Sequence, residues 1–217
     1  MDTSTALCTN GAARDFTDDV VPHATVLELL DDARFAPSGG NRQPWRVAVV
    51  EDRALRRRIG DLMQPVWDGY IARGTLGVTP YNVVDDVEPD HVPHATNALL
   101  DGIEDVPVVL AVAADLRRIA MMDSAVGRPP VTGGASIYPF CWSILLAARA
   151  RGLGGVLTTF LSRAEPAAAP ELGLPEHHAL VATIFLGVPR RQVTKLRREP
   201  VESFTTVDRF DGPAFSG

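Results

Sequence analysis

Ala36-Pro37-Ser38-Gly39-Gly40-Asn41-Arg42-Gln43-Pro44-Trp45-Arg46 is a dense polar loop, set between an amphipathic stretch and a short apolar one. Two glycines free its backbone, a hydroxyl stands at one end, and an amide flanks Arg42 on each side. Such a loop offers bare N–H groups and amide side chains to a flat polar ligand. A helix end followed by a turn would use the same Pro and Gly residues, so composition alone leaves both readings open.

Upstream, Val26, Leu29, Leu30 and Ala33 follow the i, i+3, i+4, i+7 spacing of a helix with one buried stripe. The spacing predicts a helix over Thr25–Ala36, closed by Pro37 and Gly39-Gly40. Downstream, Trp45–Val50 reads as a short buried strand, and Arg53–Met63 returns to helical spacing through Leu55, Ile59 and Leu62. Two more strands are expected at Val106–Ala113 and Leu180–Leu186, with Pro107 tolerable near a strand start. Ser136–Arg151 is apolar nearly all round, including Trp142, and such a helix must be buried, in the core or at a subunit interface. Between Pro65 and Pro107 the pattern weakens, with glycines, prolines and the acidic cluster Asp85, Asp86, Glu88 and Asp90 around Tyr70 and Tyr81. A lid or binding loop and a disordered insertion both fit that stretch.

Composition narrows the function. With 21 Lys+Arg against 27 Asp+Glu the formal charge is −6, too acidic for a chain that neutralises nucleic-acid phosphates. The 217 residues, 46% hydrophobic and 22% charged, suit one globular domain. No apolar run is long enough for a membrane span, and Met1–Asp15 lacks the basic and apolar regions of a signal peptide, so the expected setting is cytoplasmic. Cys8 and Cys141 are too few for a disulfide framework, and the five histidines show no ligand spacing, so no metal site is expected. Alternating strands and helices would suggest a doubly wound sheet, but no G-x-G-x-x-G, P-loop or G-x-S-x-G is present.

The loop matches A-P-S-x-x-N-x-Q-P-W in full, and in this the chain resembles the nitroreductase family of flavoenzymes. Arg14-Asp15-Phe16 followed by Val21-Pro22 is similar to that family's N-terminal R-x-F-x-x-x-x-V-P. Ala147-Ala148-Arg149-Ala150-Arg151-Gly152-Leu153-Gly154 resembles its A-A-x-x-x-G-L-G, and Gly187-Val188-Pro189 and Arg198-Glu199-Pro200 resemble its closing elements. Only about residues 65–105 find no counterpart, where the family varies its substrate pocket.

The resemblance implies an α+β fold over 1–217: a mainly antiparallel central sheet flanked by helices, in an intertwined homodimer with a C-terminal arm on the partner. It implies FMN as cofactor, bound between subunits, with NAD(P)H as electron donor and a nitroaromatic, quinone or similar small acceptor reduced in ping-pong fashion through flavin N5. Arg14 and a basic residue near the C-terminus, Lys195 or Arg198, would hold the phosphate. The loop residues Pro37, Ser38, Gly39, Asn41 and Gln43 would contact the flavin from the other subunit. Leu157, Thr158 and Thr159 would lie along the ring and offer an N–H to N5. These roles suit the chemistry, since guanidinium forks pair with phosphate and an amide at N5 favours the reduced ring. No catalytic acid or base is named. Two departures stand out: Asn10-Gly11-Ala12-Ala13 replaces the family's R-R-S or R-x-S before Arg14, and Trp142-Ser143 replaces Q-N. Trp142 reads most simply as a packing residue, with closing of the flavin pocket as the alternative. The competing functions are a biosynthetic oxidase or dehydrogenase using FMN and dioxygen, and a flavin-binding storage or sensor protein.

Overall fold

A computed structural model of the chain describes residues 1–215. Four strands, Trp45–Val49 (β1), Val108–Asp115 (β2), Gly154–Thr158 (β3) and His178–Gly187 (β4), form one antiparallel sheet in the order β1-β2-β4-β3. The helices are Thr3–Thr9 (α1), His23–Ala33 (α2), Arg53–Thr75 (α3), Ala98–Asp101 (α4), Tyr138–Ala150 (α5), Phe160–Arg163 (α6) and Glu165–Leu172 (α7). The fold is α+β, and the doubly wound parallel alternative is absent because every strand pair is antiparallel.

The near-continuous apolar run of β2 is explained by its place at the centre, covered on both faces. Its side chains alternate: Val108, Leu110, Val112 and Ala114 meet α2 and α5, while Val109, Ala111 and Ala113 meet the layer of α3, α6 and α7. The first layer closes on Leu29, Ala33, Phe140 and Ile144, the second on Ile59, Met63, Leu161 and Phe185. Full burial of each such large side chain contributes about 1.5–3 kcal/mol. Cys141 belongs to the first layer, where burial pushes its thiol up to about 12, so it packs as a small apolar group. In β4 a bulge leaves Val181 without a partner between the pairs Val112–Ala182 and Ala113–Leu180.

Several boundaries differ from the sequence reading. Helix α2 ends at Ala33 rather than Ala36, because the residue before Pro37 is pushed out of helical conformation and the chain closes with an Ala36 N–H bond to Ala33 O. Strand β1 is not buried: it lies at the sheet edge, and Val49 is exposed. Strand β3 was not foreseen at all. Its Gly154-Gly155 start reads as loop, yet a Cβ on Gly155 would stand 2.4 Å from Leu186 Cδ2 and 2.6 Å from Phe185 O, so only glycine allows the strand to approach. Gly152, at φ +81°, ends α5 in a left-handed closure with Gly152 N–H to Arg149 O and Leu153 N–H to Ala148 O.

The largest correction concerns residues 65–75, which continue α3 instead of opening an irregular insertion. Pro65 costs one helical hydrogen bond, but packing on both sides outweighs it. Beyond Pro65 the buried positions are Gly69, Ala72 and Arg73, so no large apolar stripe announces the helix. The stretch that follows is held against α3 by the buried Arg73 guanidinium, which pairs with Asp86 at 2.9 Å and with Glu88. Tyr81 is sandwiched between Arg73 and Arg163, 4.2 and 4.0 Å from its ring centre, and donates to Val66 O at 3.1 Å.

Helix α5 is also less covered than its composition suggests. Phe140, Cys141, Ile144, Leu145, Ala147 and Ala148 are buried, but Trp142 and Tyr138 are 41% and 43% exposed. Trp142 is therefore not a packing residue within one chain.

Candidate active site

The segment before α2 is sewn onto the outer side of β3. Ala13 N–H donates to Gly155 O at 3.0 Å, and Phe16 bridges to Pro189 beyond the end of β4. That attachment carries Arg14 to the rim of a cavity of about 460 Å³, lined also by Leu157, Thr158 and Thr159. These four sequence candidates are thus brought together. The rest of the wall comes from Trp67 and Tyr70 of α3, Phe160 of α6, and Asn97, Leu99 and Leu100 at α4.

Arg14 is exposed and makes no ion pair or side-chain hydrogen bond among the described residues, whereas its neighbour Asp15 is paired with Arg190 at 3.3 Å. Among the described residues it is the only charged group on the cavity wall. Thr158 Oγ1 is buried without a hydrogen-bond partner, as is Thr183 Oγ1 directly across the β3–β4 pair. Buried hydroxyls are ordinarily paired, so an orphan at a cavity wall is a group with capacity for a ligand or water. Beyond Gly155 the outer edge of β3 has no backbone partner among the described residues, which leaves its amide and carbonyl groups available along the same wall.

Missed by the sequence reading were Trp67, Tyr70, Asn97 and Phe160. Asn97 caps α4, its side-chain oxygen accepting from Leu99 N and Leu100 N at 3.2 and 3.4 Å. The i, i+3 spacing of Trp67 and Tyr70 would have marked a shared helical face, had α3 been read past Pro65.

The loop at 36–46 lies elsewhere. Ser38 Oγ accepts from Gln43 N–H at 2.9 Å, Gly39 N–H donates to Ser136 Oγ at 3.1 Å, and Gln43 Nε2 donates to Asn41 Oδ1 at 3.0 Å. Asn41 and Gln43 both take positive φ, 52° and 47°, a strained conformation for side-chain-bearing residues and one that collects at ligand sites. Trp45 stacks on Phe140 at 4.7 Å and pins the loop's end to α5. Pro37, Ser38 and Gly39 line a second cavity, of about 420 Å³, with Met122 and Thr132 across it; Asn41 and Gln43 are exposed outside that lining. The opposing loop is organised by buried Asp123, held below the usual carboxylate range by hydrogen bonds from Thr132, Val131 and Arg128. Because the loop runs into β1 and Thr158 ends β3, the two groups of candidates occupy opposite edges of the sheet, three strand spacings or roughly 14 Å apart.

Lys195 and Arg198 line neither cavity. Both are exposed on the arm after β4, with Arg198 donating to the neighbouring Arg197 O. The arm is anchored just before them: Gly11 N–H donates to Val193 O at 3.2 Å and Gln192 Nε2 to Gly11 O at 3.1 Å, three residues before Arg14. A Cβ at Gly11 would stand 2.5 Å from Val193 O, so the departure from the family pattern at this position seats the arm.

Among the described residues no helix is long and apolar enough to cross a membrane. The chain is 27% identical to the NADH dehydrogenase of Thermus thermophilus over 93% of its own length and 94% of the relative's. It is 32% identical to the 5,6-dimethylbenzimidazole synthase of Rhodospirillum rubrum, over 82% of this chain and 78% of that one. Its backbone is similar to that of the NADPH:FMN oxidoreductase of Vibrio harveyi, solved with NAD+, with a TM-score of 0.69 and 16% identity across 95% of this chain and 77% of that one. The profile of the Nitroreductase family matches residues 12–188, and the chain belongs to that family.

Proposed function

We propose that the chain is an FMN-dependent oxidoreductase that takes hydride from NAD(P)H and delivers it to a nitroaromatic, quinone or similar small acceptor, working as a homodimer. The observation that carries this reading is the pairing, on one cavity, of an unpaired Arg14 guanidinium with an orphaned Thr158 hydroxyl and the open edge of β3. These residues fit the cofactor: a cation for the phosphate, neutral donors and acceptors for the ring edge, and apolar walls for its faces. Bound FMN supplies the two-electron chemistry. The chain's own part is to bind, orient and exclude water: Arg14 fixes one end, Leu157–Thr159 the other, and Leu99, Leu100 and Phe160 keep the wall dry.

Two features support the dimer. The 37–43 loop lies at the far sheet edge from Arg14, so one copy alone does not bring both to a ligand; a second copy supplies the loop. Trp142 and Tyr138 of α5, with Phe204, Phe210 and Phe215 of the arm, stay exposed on a single chain and supply apolar surface for a partner. The variable segment at about 65–105 supplies Trp67, Tyr70, Asn97, Leu99 and Leu100 to the pocket wall.

Purified protein should carry, or take up, about one FMN per subunit; colourless protein that refuses added FMN contradicts the reading. The relationship to a 5,6-dimethylbenzimidazole synthase favours one other reading, a biosynthetic oxidase using FMN and dioxygen. Sluggish anaerobic reduction by NAD(P)H distinguishes it.

A further inference from the structure

Three aromatic rings meet on the 460 Å³ cavity in an arrangement that the binding of a phosphate and its carrier does not require. Trp67 and Tyr70 lie nearly parallel, 8° apart with ring centres 5.9 Å from each other, an offset-stacked pair. Phe160 meets both edge-on, at 5.7 and 5.8 Å and about 60°, and makes the corner. Trp67 is fixed by an indole N–H bond to Thr96 O at 3.3 Å. Tyr70 is different: it is 40% exposed, and its hydroxyl has no hydrogen-bond partner among the described residues.

Charge sharpens the contrast. Arg14 is the only charged group lining the cavity among the described residues, and in the reading above it is spent on the cofactor phosphate. The oxygen of Asn97 is already engaged by the first amides of α4. What remains for an electron acceptor is aromatic and uncharged, with the Tyr70 hydroxyl and the Asn97 amide N–H groups as its polar handles. A carboxylate brought against such a wall loses water and gains no counter-charge.

We propose that Trp67, Tyr70 and Phe160 form the acceptor subsite, and that the Tyr70 hydroxyl donates a hydrogen bond to an oxygen of an uncharged, planar acceptor, selecting neutral nitroarenes and quinones over carboxylated ones. This rests on the flavin reading and goes beyond it by naming the charge class of the acceptor and the residue that orients it. Tyr70 is a positioning and specificity residue.

The test uses oxidised, FMN-loaded protein without an electron donor, in which an acceptor binds but does not turn over. Nitrobenzene and 4-nitrobenzoate are titrated while flavin absorbance and tryptophan fluorescence are followed, in the parent, Tyr70→Phe and Trp67→Leu; the FMN Kd and melting temperature are measured on each preparation. The expected results are at least tenfold tighter binding of nitrobenzene than of 4-nitrobenzoate by the parent, and about 3- to 10-fold weaker nitrobenzene binding in Tyr70→Phe, the worth of one neutral hydrogen bond. Trp67→Leu should weaken nitrobenzene further, and FMN Kd and melting should stay at parental values in Tyr70→Phe. Equal binding of the two nitroarenes overturns the proposal, as does a Tyr70→Phe variant that binds nitrobenzene like the parent. A Tyr70→Phe loss shared equally by FMN also overturns it, assigning the ring to the cofactor wall and leaving the flavin reading intact. If the parent takes up no FMN, the flavin reading falls, and nitrobenzene quenching of tryptophan fluorescence, present in the apo parent and abolished by Trp67→Leu, decides the subsite separately: its presence upholds the site and its absence overturns it.

Discussion

Arg14 stands alone as a charge on its cavity because Asp15, the nearest acid in sequence, is already turned to Arg190. An unpaired guanidinium gains most from a dianion, and the family's usual second cation and hydroxyl are replaced here by Asn10 and Ala12. Arg14→Ala should therefore weaken FMN by about 30- to 150-fold, equivalent to about 2 to 3 kcal/mol, and leave riboflavin, which lacks the phosphate, nearly unaffected. Flavin-fluorescence titration reads both; equal losses for the two ligands would remove Arg14 from the phosphate. Arg198→Ala and Lys195→Ala, compared in the same titration, test whether an arm cation shares that load, which FMN affinities unchanged in both variants would refute; neither residue reaches the cavity within one chain. Asp115 presents the other telling charge. Its carboxylate accepts from the Arg117 guanidinium at 2.9 and 3.0 Å and is held at about 2, below the usual 3.8, while its own N–H donates to Pro44 O at the end of the 36–46 loop. A carboxyl depressed on folding contributes stability that is complete above its unfolded value and is lost as pH falls toward its folded one. Thermal midpoints of the parent should thus decline from about pH 4 to pH 2 more steeply than those of Asp115→Asn, which should start lower at pH 7; parallel curves would dismiss the pair.

At the scale of elements, what could be read was whatever carried large apolar side chains at regular spacing. Helix α2, the central strand β2, the strand β4 and helix α5 all did. Helix α3 beyond Pro65 and strand β3 did not, because apart from Val156 their buried positions are glycine, alanine and arginine, whose roles depend on neighbours far along the chain. The same cause hid much of the cavity wall. Arg14 and Leu157–Thr159 were legible through motif, but Trp67 and Tyr70 sit on the unread part of α3, and Asn97 on the segment that looked irregular. Strand β3 tests this directly: a methyl group at Gly155 meets the Leu186 side chain and the Phe185 carbonyl, and the backbone oxygen cannot move aside without breaking the ladder. Gly155→Ala should cost about 1–3 kcal/mol in urea unfolding, the range for overpacking. A loss under about 0.5 kcal/mol, typical of tolerant surface positions, would mean that the strand does not approach β4 so closely.

The whole molecule divides its candidate groups between opposite sheet edges, and most of its exposed aromatic residues lie on α5 and the arm. A motif could reveal both groups without revealing their separation, since strand order is a property of the fold and not of any local stretch. In the proposed homodimer, two copies related by a twofold axis would unite the groups twice over. Light scattering at micromolar concentration should accordingly report a dimer, and an active, stable monomer would refute the composite site. The central claim, that this chain moves electrons through a bound flavin, is tested most directly by the visible spectrum of FMN-loaded protein under anaerobic conditions. Addition of one equivalent of NADH or NADPH should bleach the oxidised flavin bands, and a quinone or nitrobenzene added next should restore them. Bands that persist with both nucleotides, while FMN remains bound, would contradict the account.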